Sequence, residues 1–219
     1  ATTTAILQLR DQRLLKLSDS LTKFIPIPAF KSITLLHLIT HTAGLVPVNR
    51  YFESMHSMEE MLHHYGRDGL EKEIDSVHLY SDVGFMLLGK VVEIVSRTPL
   101  DTYCKDQIFV PLKMNRTAFN PPEKWKENCA ATENDPWRGK IILGEVHDEN
   151  TWAIGGVSGH AGLFSTAEDL AKFCRGLLGD KLLKHETLEE MIAFGTKPLY
   201  PWQGLGWQVD PWATKKIGF

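Results

Sequence analysis

Tyr80-Ser81-Asp82-Val83-Gly84-Phe85-Met86-Leu87-Leu88-Gly89-Lys90-Val91-Val92-Glu93-Ile94-Val95-Ser96 is the stretch from which the fold is read. Ser81 or Asp82 can cap a helix here. A short oxygen-bearing side chain takes up backbone N–H groups that the first turn leaves unpaired. Val83, Leu87, Val91 and Ile94 then recur at helical spacing and form one apolar face. Such a helix needs other apolar faces to pack against. Leu35, Leu38 and Ile39 supply one behind Thr34, a plausible cap, with Gly44 as the expected stop and Pro47 beyond. Residues 1–16 supply another, with Ala5, Leu9 and Leu14 in phase and the Leu17-Ser18-Asp19-Ser20 turn ending it. Further helices are expected over Met58–Tyr65 and from Thr98-Pro99-Leu100-Asp101 to about Phe109. The Ser165-Thr166-Ala167-Glu168 capping box opens another through Leu178, and a last one covers Thr187–Phe194.

Two features interrupt this helical reading. Residues 110–160 are rich in Pro, Asn, Gly and Trp and show little periodicity. Trp125, Trp137 and Trp152 argue that this long stretch is ordered, and long ordered loops carry function. Gly204-Leu205-Gly206-Trp207-Gln208-Val209 reads as the start of a strand. The expected class is mainly α.

Composition narrows the function. The chain has 219 residues, 43% hydrophobic and 23% charged, with a net charge of −3. This is the balance of a globular protein and lacks the basic excess of a nucleic-acid binder. One of the two longest runs without Asp, Glu, Lys or Arg, Ser32 to Asn49, contains His37, His41, Gly44 and Pro47 and does not read as a membrane span. Cys104, Cys129 and Cys174 lie too far apart for a Cys-x-x-Cys knuckle and are odd in number. Neither end of the chain has a stop or start signal, which suggests a piece of a longer protein.

Several residues could carry chemistry. His37 and His41 stand four apart, a spacing that can bind zinc, but Leu38 occupies the position of the glutamate in His-Glu-x-x-His. Helix-surface or capping roles are the alternative, for these and for His63-His64. Tyr80 precedes a helix N-terminus. It can pack beneath the helix, or project into a cleft where the dipole and a cation favour a phenolate able to act as general base. Gly155-Gly156-Val157-Ser158-Gly159-His160-Ala161-Gly162 lacks the Lys-Ser/Thr of a phosphate-binding loop, so close backbone packing is the competing reading. Glu145-Val146-His147-Asp148-Glu149 sets a histidine among acids, as a solvated loop, an acid–base group or a metal site.

The combination is more specific than its parts. Ile33-Thr34-Leu35-Leu36-His37-Leu38-Ile39-Thr40-His41-Thr42-Ala43-Gly44-Leu45 resembles the Ile-Thr-x-x-His-Leu-Leu-Thr-His-Thr-Ser-Gly-Leu segment of the β-lactamase-related serine hydrolases. That group includes class C β-lactamases, DD-carboxypeptidases (penicillin-binding proteins) and related esterases. Tyr80–Gly89 resembles its Tyr-Ser-Asn-x-Gly-Tyr-x-Leu-Leu-Gly segment, and Phe109–Met114 its Phe-x-Pro-Leu-Gly-Met. Gly159-His160-Ala161-Gly162-Leu163-Phe164-Ser165-Thr166 and Gly204-Leu205-Gly206-Trp207 follow in the same order. Gly144–Asn150 is similar to the penicillin-binding and esterase-like branch. The resemblance covers essentially the whole chain.

It implies the helical region of a β-lactamase/DD-peptidase-like α/β fold, with most of the antiparallel sheet missing, so that residues 1–219 form one partial domain. It implies cleavage of an amide or ester through an acyl-serine, with Tyr80 catalytic. Asp82, His147, Asp148, Gly159 and His160 are implied at the substrate, and neither cofactor nor metal is expected. Asp82 stands where the family has Asn, which removes two donors and adds a charge. The family's Ser-x-x-Lys would sit immediately before residue 1 and its Lys/His-x-Gly strand immediately after Phe219. Ser20-Leu21-Thr22-Lys23 spells Ser-x-x-Lys in the wrong place. Residues 1–219 are therefore expected to be inactive alone, to expose apolar surface and to self-associate. The substrate would be a β-lactam, a D-alanyl peptide or an ester, and family resemblance suggests export or the cell envelope. A non-catalytic homologue that binds peptide or cell-wall fragments is the alternative, and a zinc hydrolase using His37 and His41 a third.

Overall fold

In a computed structural model, residues 1–48, 50–193, 196, 199 and 202–209 are described. They are mainly helical, as expected. The helices are α1 (Thr2–Asp11), α2 (Leu35–Ile39), α3 (Met58–Asp68), α4 (Asp82–Ser96), α5 (Leu100–Cys104), α6 (Glu123–Lys126), α7 (Glu149–Ala153), α8 (Ala167–Leu178) and α9 (His185–Ala193). Strand is confined, among the described residues, to two antiparallel pairs. β1 (Ala118–Phe119) pairs with β4 (Leu163–Phe164), and β2 (Asn134–Asp135) with β3 (Lys140–Ile141). No described helix is long and apolar enough to cross a membrane.

The centre of the fold is α4. Ser81 caps it, its hydroxyl accepting from the Gly84 amide, and Asp82 adds an acid to the first turn. Val83, Leu87 and Val91 are buried, while Ile94 keeps 41% of its surface exposed near the helix end. Arg97, left-handed at φ +57°, closes the helix. Its main partner is α1, in which Thr2 to Leu7 and Leu9 are all buried. A helix buried on nearly every side is a core element rather than a surface one. α1 stops at Asp11, because Arg13 turns to φ +63°, and Leu14 is consequently exposed.

Other boundaries moved for local reasons. α2 begins at its expected cap, Thr34, but ends at Ile39, and His41 rather than Gly44 takes the first left-handed conformation, at φ +56°. Pro99 is the cap of α5 rather than its first residue, and a π-helical turn over Lys105–Phe109 continues it to the expected end. Thr166, one residue later than expected, caps α8 by accepting from the Asp169 amide. The neighbouring Ser165 instead bonds Thr117 at 2.8 Å. α9 begins at His185, and Phe194 lies outside the described residues. Residues 204–209 form a turn closed by a Gln203–Gln208 bridge, not a strand, because Gly206 at φ +72° reverses the chain.

The Gly-rich segment packs by its backbone. A Cβ on Gly159 would lie 1.9 Å from the Phe85 carbonyl oxygen and 2.8 Å from the Gly89 nitrogen. On the other side, the Thr2 hydroxyl donates to the Gly159 carbonyl at 2.6 Å. Residue 159 thus lies between α1 and α4, where neither it nor Gly89 can carry a side chain. Gly159→Ala is expected to destabilise the chain by about 2 kcal/mol or more, since backbone rather than a pliant side chain must give way. Urea denaturation measures this, and an unchanged midpoint would contradict the packing.

Candidate functional site

Tyr80 sits at the start of α4, and its position is set by a segment far away in sequence. The Leu79 amide donates to the His41 carbonyl at 2.8 Å and the Ser81 amide to His41 Nδ1 at 3.2 Å. The Ser81 hydroxyl donates to the Val46 carbonyl at 2.6 Å. The His41 ring then lies 4.6 Å from the Tyr80 ring and 5.0 Å from that of Phe85. His41 is therefore the wall against which Tyr80 is held.

His37 is elsewhere. Its Nδ1 accepts from the Thr34 amide at 3.1 Å in a capping box, and its Nε2 faces Asp75 at 3.3 Å. With α2 ended at Ile39, the two histidines do not share a helix face, and the zinc pair suggested by their spacing is not formed. His63 and His64 lie on α3, exposed and half-buried respectively.

A cavity of about 590 Å³ opens beside Tyr80. Ala1, Thr2 and Thr3 at the start of α1 line it, with His41, His78, Tyr80, Ser158, Gly159 and His160. The structure thus brings Tyr80 together with Gly159 and His160. Asp148 joins them from behind. Its Oδ1 caps α7, accepting from the Thr151 amide at 2.7 Å, and faces His160 Nε2 at 3.0 Å. The other nitrogen of His160, Nδ1, lies 2.9 Å from the Ser158 hydroxyl. Ligand atoms of Asp82, Asp148 and His160 all lie within 4.8 Å of one another.

His147 departs from the expected grouping. It turns to Glu133 (3.3 Å) and lines a neighbouring cavity of about 620 Å³, because Asp148, not His147, points at His160. Asp148, Ala161 and Leu163 also line this second cavity, and Ala161 and Leu163 border both.

The electrostatics of the site are set first by burial and then by neighbouring charges. Partial burial, the charge and hydrogen bond of Asp82 and the charge of Asp148 push Tyr80 up to about 12, although 58% of the residue is exposed. It is a phenol at neutral pH, so the helix dipole alone does not make it a base. Burial works against the Asp148 carboxylate, but the His160 contact and the Thr151 bonds outweigh it and bring Asp148 to about 2. Burial, and then the neighbouring His78, lower His41 to about 4, and burial also lowers His78.

His41, His78 and Ser158 escaped the sequence reading as cavity residues. His41 stood out only for its spacing from His37 and its place in the Ile33–Leu45 segment, and His78 carried no local signal.

The model of the Beta-lactamase family matches residues 1–218. A putative D-alanyl-D-alanine carboxypeptidase of Escherichia coli K12 is 33% identical over 98% of this chain and 57% of its own length. One from Escherichia coli O157:H7 is 40% identical over 68% of this chain and 38% of its own length. The chain thus spans little more than half of the first relative. Among solved structures, a β-lactamase/D-alanine carboxypeptidase from Pseudomonas syringae superposes with a TM-score of 0.75 at 21% identity. The match covers 94% of this chain and 57% of that one. The fold is the helical part of a β-lactamase-like fold.

His41 gives a test by pH. The folded chain holds it neutral down to about pH 4, whereas the unfolded chain protonates it near 6.5. Between these values the unfolded state binds more protons, so stability falls as pH falls, by up to roughly 3 kcal/mol at pH 4. His41→Asn, which tolerates the left-handed backbone, is expected to flatten this limb in urea titrations at a series of pH values. A slope that persists undiminished would refute the assignment.

Proposed function

The chain belongs to the beta-lactamase family, and from that premise we propose that its protein is a serine hydrolase cleaving an amide or ester through an acyl-serine. One observation carries the reading. The start of α1 and Tyr80 at the start of α4 line the same cavity. In the family pattern the serine and lysine open the helix that α1 resembles, so both would enter this cavity opposite Tyr80. Residues 1–219 are read as part of one domain. The name of the relatives points to a D-alanyl peptide as the substrate class, with β-lactams and simple esters as others.

In this reading the serine hydroxyl attacks the carbonyl carbon and its proton passes to the Tyr80–lysine pair. The C–N or C–O bond then breaks, with the leaving group taking a proton, and water releases the acyl group. Tyr80 can take part only when a cation offsets the carboxylates that hold it as a phenol, which is the lysine's task. Asp82 is the polar partner of Tyr80. Gly159 and His160 border the substrate, Asp148 holds His160, and His147 borders the adjoining cavity. Ser20 and Lys23 are otherwise engaged. Ser20 caps a short 3₁₀ turn and donates to the Lys31 carbonyl, while Lys23 pairs with Asp19 at 2.8 Å.

Residues 1–219 alone are thus expected to form no acyl-enzyme. Intact mass after incubation with a penicillin should stay at the unmodified 24.8 kDa. A longer protein carrying the upstream serine should gain the mass of one adduct, and Tyr80→Phe should slow that reaction by about 10²–10⁴-fold. No adduct on the longer protein would favour a non-catalytic homologue that binds peptide or cell-wall fragments.

Self-association is part of this proposal. Trp137 and Trp152 meet edge to face at 5.4 Å and keep 42% and 40% of their surfaces exposed. Such aromatic surface favours burial against another molecule. Light scattering should show a mass above that of one chain, reduced by Trp137→Ser. A monomer at all concentrations would remove the claim.

A further inference from the structure

The cavity of about 620 Å³ is as large as the one at Tyr80, and Ala161 and Leu163 form a wall common to both. From Leu163 the chain runs on through Phe164 and Ser165 to Thr166, and all of these line the second cavity. β1 pairs with β4 as Ala118 with Phe164 and Phe119 with Leu163, and the Thr117 and Ser165 hydroxyls meet at 2.8 Å. The same register, continued, sets Arg116 opposite Thr166, at the end away from the common wall. Three residues of extended chain separate Leu163 from Thr166, or ~10 Å.

Arg116, Glu145, His147 and Asp148 are the charged or basic side chains lining this cavity. Glu145 pairs with Lys140 at 2.6 Å, His147 faces Glu133 at 3.3 Å and Asp148 faces His160 at 3.0 Å. The Arg116 guanidinium alone, among the described residues, has no side-chain partner, and Arg116 is exposed. Its backbone is nevertheless fixed, because the Arg116 amide donates to Asp169 at 2.7 Å. Asp169 is 1% exposed and also accepts from the Thr117 hydroxyl and from Lys172, so its carboxylate is spent without reaching the guanidinium. The cavity is therefore polarised. Asp148 stands at the His160 end, next to Ala161, and an unneutralised guanidinium stands at the Thr166 end. Trp125, Leu163 and Phe164 supply apolar wall to the same cavity.

A planar guanidinium with free donors, on a fixed backbone, matches a carboxylate in two-point geometry. Resting on the hydrolase reading above, we infer that the second cavity is a subsite for a long acyl chain ending in a carboxylate, with Arg116 as the specificity-determining residue. The scissile carbonyl would lie in the Tyr80 cavity, the chain would pass the Ala161–Leu163 wall over apolar surface, and the carboxylate would end on Arg116. Length matters because of the polarity. A carboxylate close to the scissile carbonyl meets Asp148, and only one carried to the Thr166 end meets Arg116.

The test compares suberamic acid with suberamide, which differ by a carboxylate in place of one terminal amide. Their end groups stand ~8 Å apart in an extended chain. Binding to the 219-residue chain is measured by NMR titration at neutral pH. Suberamic acid is expected to bind about fivefold more tightly, with the ratio falling toward one in Arg116→Gln and in high salt. Equal affinities for the wild-type chain, or an unchanged ratio in Arg116→Gln, would overturn the subsite. Succinamic acid, half as long, is expected to gain nothing over succinamide. An equal gain for the short acid would mean general attraction of anions and would overturn the inference too. The Gly159 and Thr166 amide signals should both move with suberamic acid, and movement confined to Thr166 would overturn the placement of one molecule along both cavities. Because binding requires no turnover, absence of a penicillin adduct on the longer protein would refute the hydrolase reading and leave the affinity ratio standing. Conversely, a longer protein that forms the adduct but shows no preference for the long acid would refute the subsite alone.

Discussion

The contact between Gly159 and α4 is the constraint on which the site depends. Backbone meets backbone there, with no room for a Cβ on residue 159, and the Thr2 hydroxyl ties the same peptide to α1. Protein interiors are packed densely enough that such an approach cannot be traded for a looser one without shifting whole elements. The consequence is geometric. The start of α1, the start of α4 and the loop carrying Ser158 and His160 converge on one cavity. If any of the three stood a side chain's width further out, Tyr80 and His160 would no longer border the same space.

A second layer holds the polar groups. Asp148 does two jobs with one carboxylate, capping α7 and holding His160, so the loop and the helix cannot move independently. His41 does the same for Tyr80, accepting from the Ser81 amide while its ring packs on Tyr80 and Phe85. Burial lowers His41 and His78, and partial burial with the nearby Asp82 and Asp148 holds Tyr80 as a phenol. On the reading proposed above, such a tyrosine donates hydrogen bonds until a cation offsets the carboxylates, so its proton transfer would be coupled to that cation.

Much of this was legible in advance where the determinants are local. The caps at Thr34 and Ser81 followed from a short polar side chain placed before an apolar repeat, and a cap needs only its own first turn. The ordered matches from Ile33 to Trp207 likewise identified the family, and with it the mainly helical class. The ends at Ser96, Phe109 and Leu178 were legible, but those of the first two helices were not. Arg13 and His41 take left-handed conformations that their residue types do not announce, which moved the end of α1 and revoked the apparent zinc spacing of His37 and His41.

What the sequence by itself determined, then, is membership of the family, the caps that open α2 and α4, and the presence of Tyr80 and Asp82 at the head of α4. What only the tertiary structure decided is the state and company of those groups. His41 meets Ser81 across 40 positions, and Asp148 meets His160 across 12, with His147 turned away beside it. The charge on Tyr80 is set by partial burial and by Asp82 and Asp148, against the preference of its own helix. Capping and periodicity are properties of consecutive residues and can be read in order. Desolvation and the field at an atom sum over neighbours that the chain order does not show.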